Sequence, residues 1–181
     1  MEPPYEPALE TLLTKWMPPG SGMAPLTLFR VLGRHEELAS RARPLGAGIL
    51  GKGKVPPLLR EIMIHRTCAL TGAEYEWGVH ATGFGRPLGL SEEQLVSTVH
   101  GSAEDPMWSP AERAVFALAD ELHTSSTVSD DLFATLTENF DDEQILELCV
   151  TAGWYHAISY VINTARLPLE SWAERFPAPG R

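Results

Sequence analysis

The chain has 181 residues, 44% of them apolar and 21% charged, with a net charge of −10 and two cysteines. That balance suits one soluble core of ordinary domain size and excludes a disordered chain. The acidic surplus, with no basic stripe, excludes recognition of nucleic acid or an anionic membrane surface.

Met1 to Pro7 is expected to be an extended arm, because Pro3, Pro4 and Pro7 oppose helix. This start is acidic and proline-rich and does not read as a signal peptide, and no run approaches transmembrane length. Ala8 to Trp16 predicts a short helix with Leu9, Leu12, Leu13 and Trp16 on one side. This apolar face suggests a contact between copies of the chain. Met17 to Met23 is a loop, Pro25 to Arg34 a second helix, and Glu36 to Leu50 a third. Residues 1–50 are expected to be a helical arm of a single domain spanning 1–181. Gly46, Gly48, Gly51 and Gly53 satisfy the count of a phosphate-binding loop. That chemistry needs a strand before and a helix after, whereas here a helix pattern precedes and Val55, Pro56 and Pro57 follow. The stretch is expected to be a flexible link.

Glu61 to Gly89 crowds acids, histidines, a thiol and aromatics onto two short helical segments separated by Gly72. Residues four apart share a helix face, so Glu61 is expected above His65 and Glu76 above His80. Beyond it, Ser91 with Gln94, Ser109 with Glu112, and Asp141 with Gln144 predict capped helix starts, and Ser129 caps a shorter one. The last helix carries Ile145, Leu148, Cys149 and Ala152 on a stripe that continues to His156 and Asn163. No segment alternates as a strand does, so the fold class is an all-α bundle.

Glu76 and His80 form the sharper pair. Imidazole titrates near neutral pH, and a carboxylate bonded to it fixes its tautomer and raises its basicity. The other reading of such a pair is a surface contact one turn apart. Arg66 can clamp a carboxylate or hold Glu61. Cys68 and Cys149 stand too far apart in sequence for a Cys-x-x-Cys pair, and two lone thiols give the expectation of a reducing, cytoplasmic setting. Two Glu-x-x-x-His pairs also allow a metal, but neither a metal nor a cofactor is expected.

Glu61, Tyr75, Glu76, Trp77, His80 and Gly89 together resemble the carboxymuconolactone decarboxylase family, of the alkyl hydroperoxidase D-like superfamily. The peroxidase branch carries a glutamate, eleven residues, Cys-x-x-Cys, three residues and a histidine. On this chain the acid falls at Glu61 and the histidine at His80, while Ala73 and Glu76 occupy the cysteine places. Gly153, Trp154, Tyr155, His156 and Asn163 resemble the family's last helix, so the likeness spans 55–169. The resemblance implies an alkyl hydroperoxidase D-like helical bundle and cofactor-free proton transfer, with decarboxylation as the type reaction, on a small organic acid, lactone or ketone. His80 is then the proton carrier, Glu76 orients it, and Glu61 is a second acid. Arg66, Tyr75, Trp77, His65, Cys68 and His156 are candidates for binding substrate. The family further implies a homo-oligomer, dimer to hexamer. The alternatives are a peroxidase-like antioxidant protein, against which the missing thiol pair weighs, and a ligand-binding oligomer without catalysis.

Overall fold

The computed structural model describes residues 3–17, 20 and 22–178. The chain divides into two compact units, Met1–Lys52 and Gly53–Arg181. Met1 and Glu2 of the expected arm, and Pro18, Pro19 and Ser21 of the expected loop, lie outside the described residues.

In the first unit, α1 spans Pro7–Thr14, α2 Thr27–Leu32 and α3 Glu36–Lys52, with a 3₁₀ turn at Gly33–His35 leading into α3. Pro7 begins α1 rather than ending the arm. A proline at the first helical position lacks an N–H that would have no partner there anyway. Leu9 and Leu13 are buried, and Trp16 lies against Phe29 with ring centroids 4.6 Å apart. Leu9 and Leu13 of this face thus serve the core of the unit, while Leu12 and Trp16 stay half-exposed. The glycine-rich stretch is also not a link: α3 continues through it to Lys52.

In the second unit, α4 (Pro57–Leu70) is the central helix and packs against α5 (Glu74–His80), α7 (Glu92–His100), α8 (Pro110–Ser125) and α10 (Asp142–Ala165). Arg60 through His65, then Thr67 and Cys68, are all buried, so α4 is enclosed on most sides. Fully burying Ile62, Met63 and Ile64 contributes about 1.5–3 kcal/mol for each side chain. Pro57 starts α4 at the position where a missing N–H does no harm. Gly72, at φ +65, makes the tight reversal into α5, where the Ala73 amide donates to the Cys68 carbonyl at 2.8 Å. α5 runs on into a π-helical turn at Ala81–Gly85 and a last short helix, α6 (Arg86–Leu88).

The capping boxes at Ser91, Ser109 and Asp141 form as their sequences require, and Ser129 caps α9 (Asp130–Asn139). No strand occurs among the described residues, and the fold is all-α. α10 is long and apolar enough to cross a membrane by length and composition, contrary to the expectation that no run comes near. Its buried side, Leu148, Ala152, Tyr155, Ile158 and Ile162, serves as core. Its exposed side carries Leu146, Val150 and Tyr160.

Residues 167–178 then return as a strap along α5. The Tyr75 hydroxyl donates to Glu170 at 2.6 Å, Arg86 donates to Glu174 at 2.8 Å, and the Trp77 ring lies edge-on to Phe176. Gly78 permits this approach, since a Cβ there would run into the Glu174 carbonyl.

Candidate active site

The enclosure of α4 draws two titratable side chains, Glu61 and His65, into the core, and the end of α5 brings His80 against them. The pairing differs from the one that helical spacing predicts. Glu61 does not turn its carboxylate to His65 one turn above; the nearest approach there is 4.0 Å. Its Oε2 instead meets His80 Nδ1 across the helix pair at 2.7 Å. Its Oε1 accepts from Arg60 at 3.2 and 3.3 Å. His65 uses Nδ1 on the Glu61 backbone carbonyl at 2.6 Å. A carbonyl only accepts, so Nδ1 of His65 carries the hydrogen and Nε2 holds the lone pair.

On its other side, His80 Nε2 lies 3.1 Å from the Tyr155 hydroxyl and 3.6 Å from Glu76 Oε1, the latter beyond hydrogen-bond reach. Phe84, from the π turn, stacks on the His80 ring at 4.9 Å between centroids. Such turns recur at functional sites because they re-aim side chains within a helix. Two buried polar atoms here have no hydrogen-bond partner: His65 Nε2 and Glu76 Oε2. Native cores rarely leave such atoms unmet without a reason.

Burial lowers the His80 pKa, but the Glu61 charge, its hydrogen bond and Glu76 together raise it to about 9. Burial likewise pushes Glu61 up, yet the His80 charge and hydrogen bond, with His65 and Arg60, bring it below the ordinary carboxylate value. The pair therefore rests as carboxylate and imidazolium at neutral pH. His65 goes the other way: burial pulls it to about 4, which keeps it neutral. Burial and the two nearby acids push the Tyr155 hydroxyl and the Cys68 thiol well above their ordinary values. Chemically, the arrangement offers a held proton on His80 Nε2 and a neutral phenol to pass it on.

The family model for the carboxymuconolactone decarboxylase family matches residues 36–121. Solved structures share the fold. A debrominase in complex with 2,3,4-tribromopyrrole is 18% identical, with a TM-score of 0.74 over 92% of this chain and 87% of that one. A protein of unknown function from Agrobacterium tumefaciens, proposed there to be the antioxidant defence protein AhpD, is 20% identical, with a TM-score of 0.70 over 77% of this chain and 94% of that one. An uncharacterized peroxidase-related protein from Silicibacter sp. TM1040 is 16% identical, with a TM-score of 0.73 over 87% of this chain and 83% of that one. The chain is thus similar to the carboxymuconolactone decarboxylase family over residues 36–121, and it shares the helical fold of these solved structures. No curated protein is matched by sequence.

The two residues that carried the resemblance, Glu61 and His80, are in direct contact. The matched residues begin earlier than the expected 55 and stop at Leu122's neighbour Glu121, before the last-helix segment that also carried the resemblance. Among the substrate-binding candidates, His65 and Cys68 border the pair from α4. Trp77 donates through Nε1 to Thr98 at 3.0 Å and sets its ring against His65. Tyr75 is bound to the strap. Arg66 is engaged elsewhere: it donates to Asp120 at 2.6 Å and to the Thr98 carbonyl, and its guanidinium lies over Phe116. It is not available to clamp a substrate carboxylate, and it does not hold Glu61. His156 points away from His80 into a separate cleft beside His123. Among the described residues no group of three or more acids, histidines and cysteines is arranged to hold a metal.

Two site residues escaped the sequence reading of roles. Tyr155 sits within the last-helix resemblance, but nothing local says that its hydroxyl reaches His80. Phe84 lies at the four-residue spacing from His80, the one signal that could have found it.

Proposed function

We propose that the protein is a small-molecule enzyme in which His80 acts as a general acid on an organic acid, lactone or enolisable ketone. The observation that carries this reading is the 2.7 Å contact between Glu61 and His80 Nδ1, with Nε2 turned to Tyr155. Decarboxylation breaks a carbon–carbon bond and leaves an enolate or carbanion that must take up a proton. An imidazolium held charged near pH 7 supplies it from Nε2, directly or through the Tyr155 hydroxyl, and Glu61 holds the tautomer that makes this possible. His80 then regains a proton from water. Glu61 therefore takes the orienting part that helical spacing assigns to Glu76.

The peroxidase-like alternative requires a reactive thiolate. Cys68 is fully buried with its thiol pushed well up, and Cys149 is also raised by burial, so neither thiol favours it. We also infer a homo-oligomer, with the exposed Leu146, Val150 and Tyr160 of α10, rather than the first helix, as the contact face.

The test is hydrogen–deuterium exchange. Wild-type protein in D₂O is incubated with a panel of lactone carboxylates and enolisable keto acids, and proton NMR follows deuterium entering at carbon. Enzyme-dependent exchange or CO₂ release that disappears in folded His80→Ala supports the reading. Turnover undiminished in that variant overturns it.

A further inference from the structure

Away from Glu61 and His80, the open cleft of about 670 Å³ between α8 and α10 includes His123, His156, Cys149, Tyr160, Asn163 and Thr71 in its lining. Its distinctive feature is a pair of imidazoles. His123 Nδ1 lies 3.0 Å from His156 Nε2, with ring centroids 5.3 Å apart. His156 Nδ1 lies 3.1 Å from the Ala152 carbonyl, which can only accept. Nδ1 of His156 therefore carries the hydrogen, and its Nε2 lone pair points at His123. In the neutral pair a single hydrogen, on His123 Nδ1, fills the gap between the rings.

We propose that these two imidazoles form a binding site for a divalent transition-metal ion of the zinc and nickel class, which would take the place of the hydrogen bond between them, the rings turning so that both lone pairs meet on the ion beside the gap, and tie α8 to α10. Three observations converge on a cation. The nitrogen spacing is close to the roughly 3.3 Å that separates two imidazole ligands on a tetrahedral ion with ordinary zinc–nitrogen bonds. His156 already has the support that metal-bound histidines show, its second ring N–H given to a backbone carbonyl, which fixes the tautomer and raises ligand basicity. His123 stands in the last turn of α8, where the unsatisfied carbonyls favour positive charge and oppose an anion. The two imidazoles supply half of a tetrahedral set, and the open side of the cleft leaves room for water or a carboxylate ligand to complete it. On binding, the bridging proton of His123 leaves to solvent, or the ring takes its other tautomer, so charge and protons balance without any redox step.

The site shares no residue with the Glu61–His80 pair and stands or falls apart from the proposed reaction. Zinc and nickel salts titrated into the full chain in a non-chelating buffer provide the test, with calorimetry and thermal melting as readouts. An ion that binds the folded state alone raises the melting temperature. One ion per chain and a raised melting temperature are expected for wild type. His123→Ala and His156→Ala should each abolish stoichiometric binding, since a single imidazole is left to hold the ion. His123→Gln keeps a donor for His156 Nε2 while removing the imidazole ligand, so it should hold the fold and still lose the ion. Cys149→Ser should retain it. Absence of stoichiometric binding by wild type, or binding that survives both histidine changes, overturns the proposal. So does binding that depends on Cys149 and on neither histidine.

Discussion

His65 on α4 and His80 at the end of α5 are near neighbours, with ring centroids 6.3 Å apart, and both are buried beside the same glutamate. Yet one is held near 4 and the other near 9. The difference is which part of Glu61 each ring receives. His65 is given the backbone carbonyl, a dipole that orients the ring without offsetting its desolvation. His80 is given the carboxylate itself. In a dry interior, proximity to an acid is therefore not enough; direct contact with its charge decides protonation.

The contrast can be broken most sharply at Glu61. Glu61→Gln removes the charge but keeps a hydrogen-bonding group, and it leaves Arg60 and His80 without their anion. Turnover in the exchange assay should fall about a hundred- to ten-thousandfold. Removing one partner of a buried pair should destabilise by about 3–5 kcal/mol, read by denaturant unfolding.

Next in size is the pH dependence of stability, where the two rings act in opposite senses. His80 in the folded protein titrates above its ordinary 6.5, so its stabilisation is complete below about 6.5 and is lost as pH rises through about 9. His65 titrates below 6.5, so the unfolded chain takes up a proton first and stability falls as pH drops from about 6.5 to about 4. Glu61 extends the acid loss below its ordinary value of 4.5. Each histidine limb is worth on the order of 3 kcal/mol. The expected curve peaks near pH 6.5. His80→Gln should flatten the alkaline side and His65→Met the acid side, and a curve that keeps both limbs in both variants would sink the contrast.

Smaller effects sharpen it. Gly78→Ala should push the strap off α5 and lower stability by about 1–3 kcal/mol, within the range for overpacking, with earlier proteolysis after α10. Glu76→Gln, whose nearest oxygen is 3.6 Å from His80, should reduce turnover less than Glu61→Gln does, by about tenfold. Cys68→Ser with Cys149→Ser should leave turnover within about twofold if proton transfer, not thiol chemistry, is the reaction.

Much of the fold could be read along the chain, because its signals are local. Ser109 and Glu112 specify a helix start whatever surrounds them, and Gly72 marks a reversal that few other residues make. The acid and histidine of the site were also legible, from their spacing and family likeness. What stayed hidden was partnership across helices. Helical spacing ties Glu61 to His65 and Glu76 to His80, since it sees only one helix at a time, whereas α4 and α5 pack so that Glu61 meets His80. Arg66 reads as a free clamp because Asp120, its actual partner, lies 54 positions later. The glycine-rich end of α3 reads as a link because weak helix propensity is easily overridden by context.

The π turn at Ala81–Gly85 bears on how this chain can change length. Such a turn is an α-helix carrying one surplus residue, held because the structure around it gains from the bulge. Deleting a single residue there needs no new loop; the backbone can close into an ordinary helix. The widened turn takes up its extra residue locally, so the helix on either side keeps its register when that residue is lost. Arg86 would stay on Glu174 and the core of α4 would stay as it is, while Phe84, which lies within the turn, would leave its seat on His80. The turn thus works as a slot for one residue, the place where a loss would reshape the site without moving the strap or unravelling the bundle.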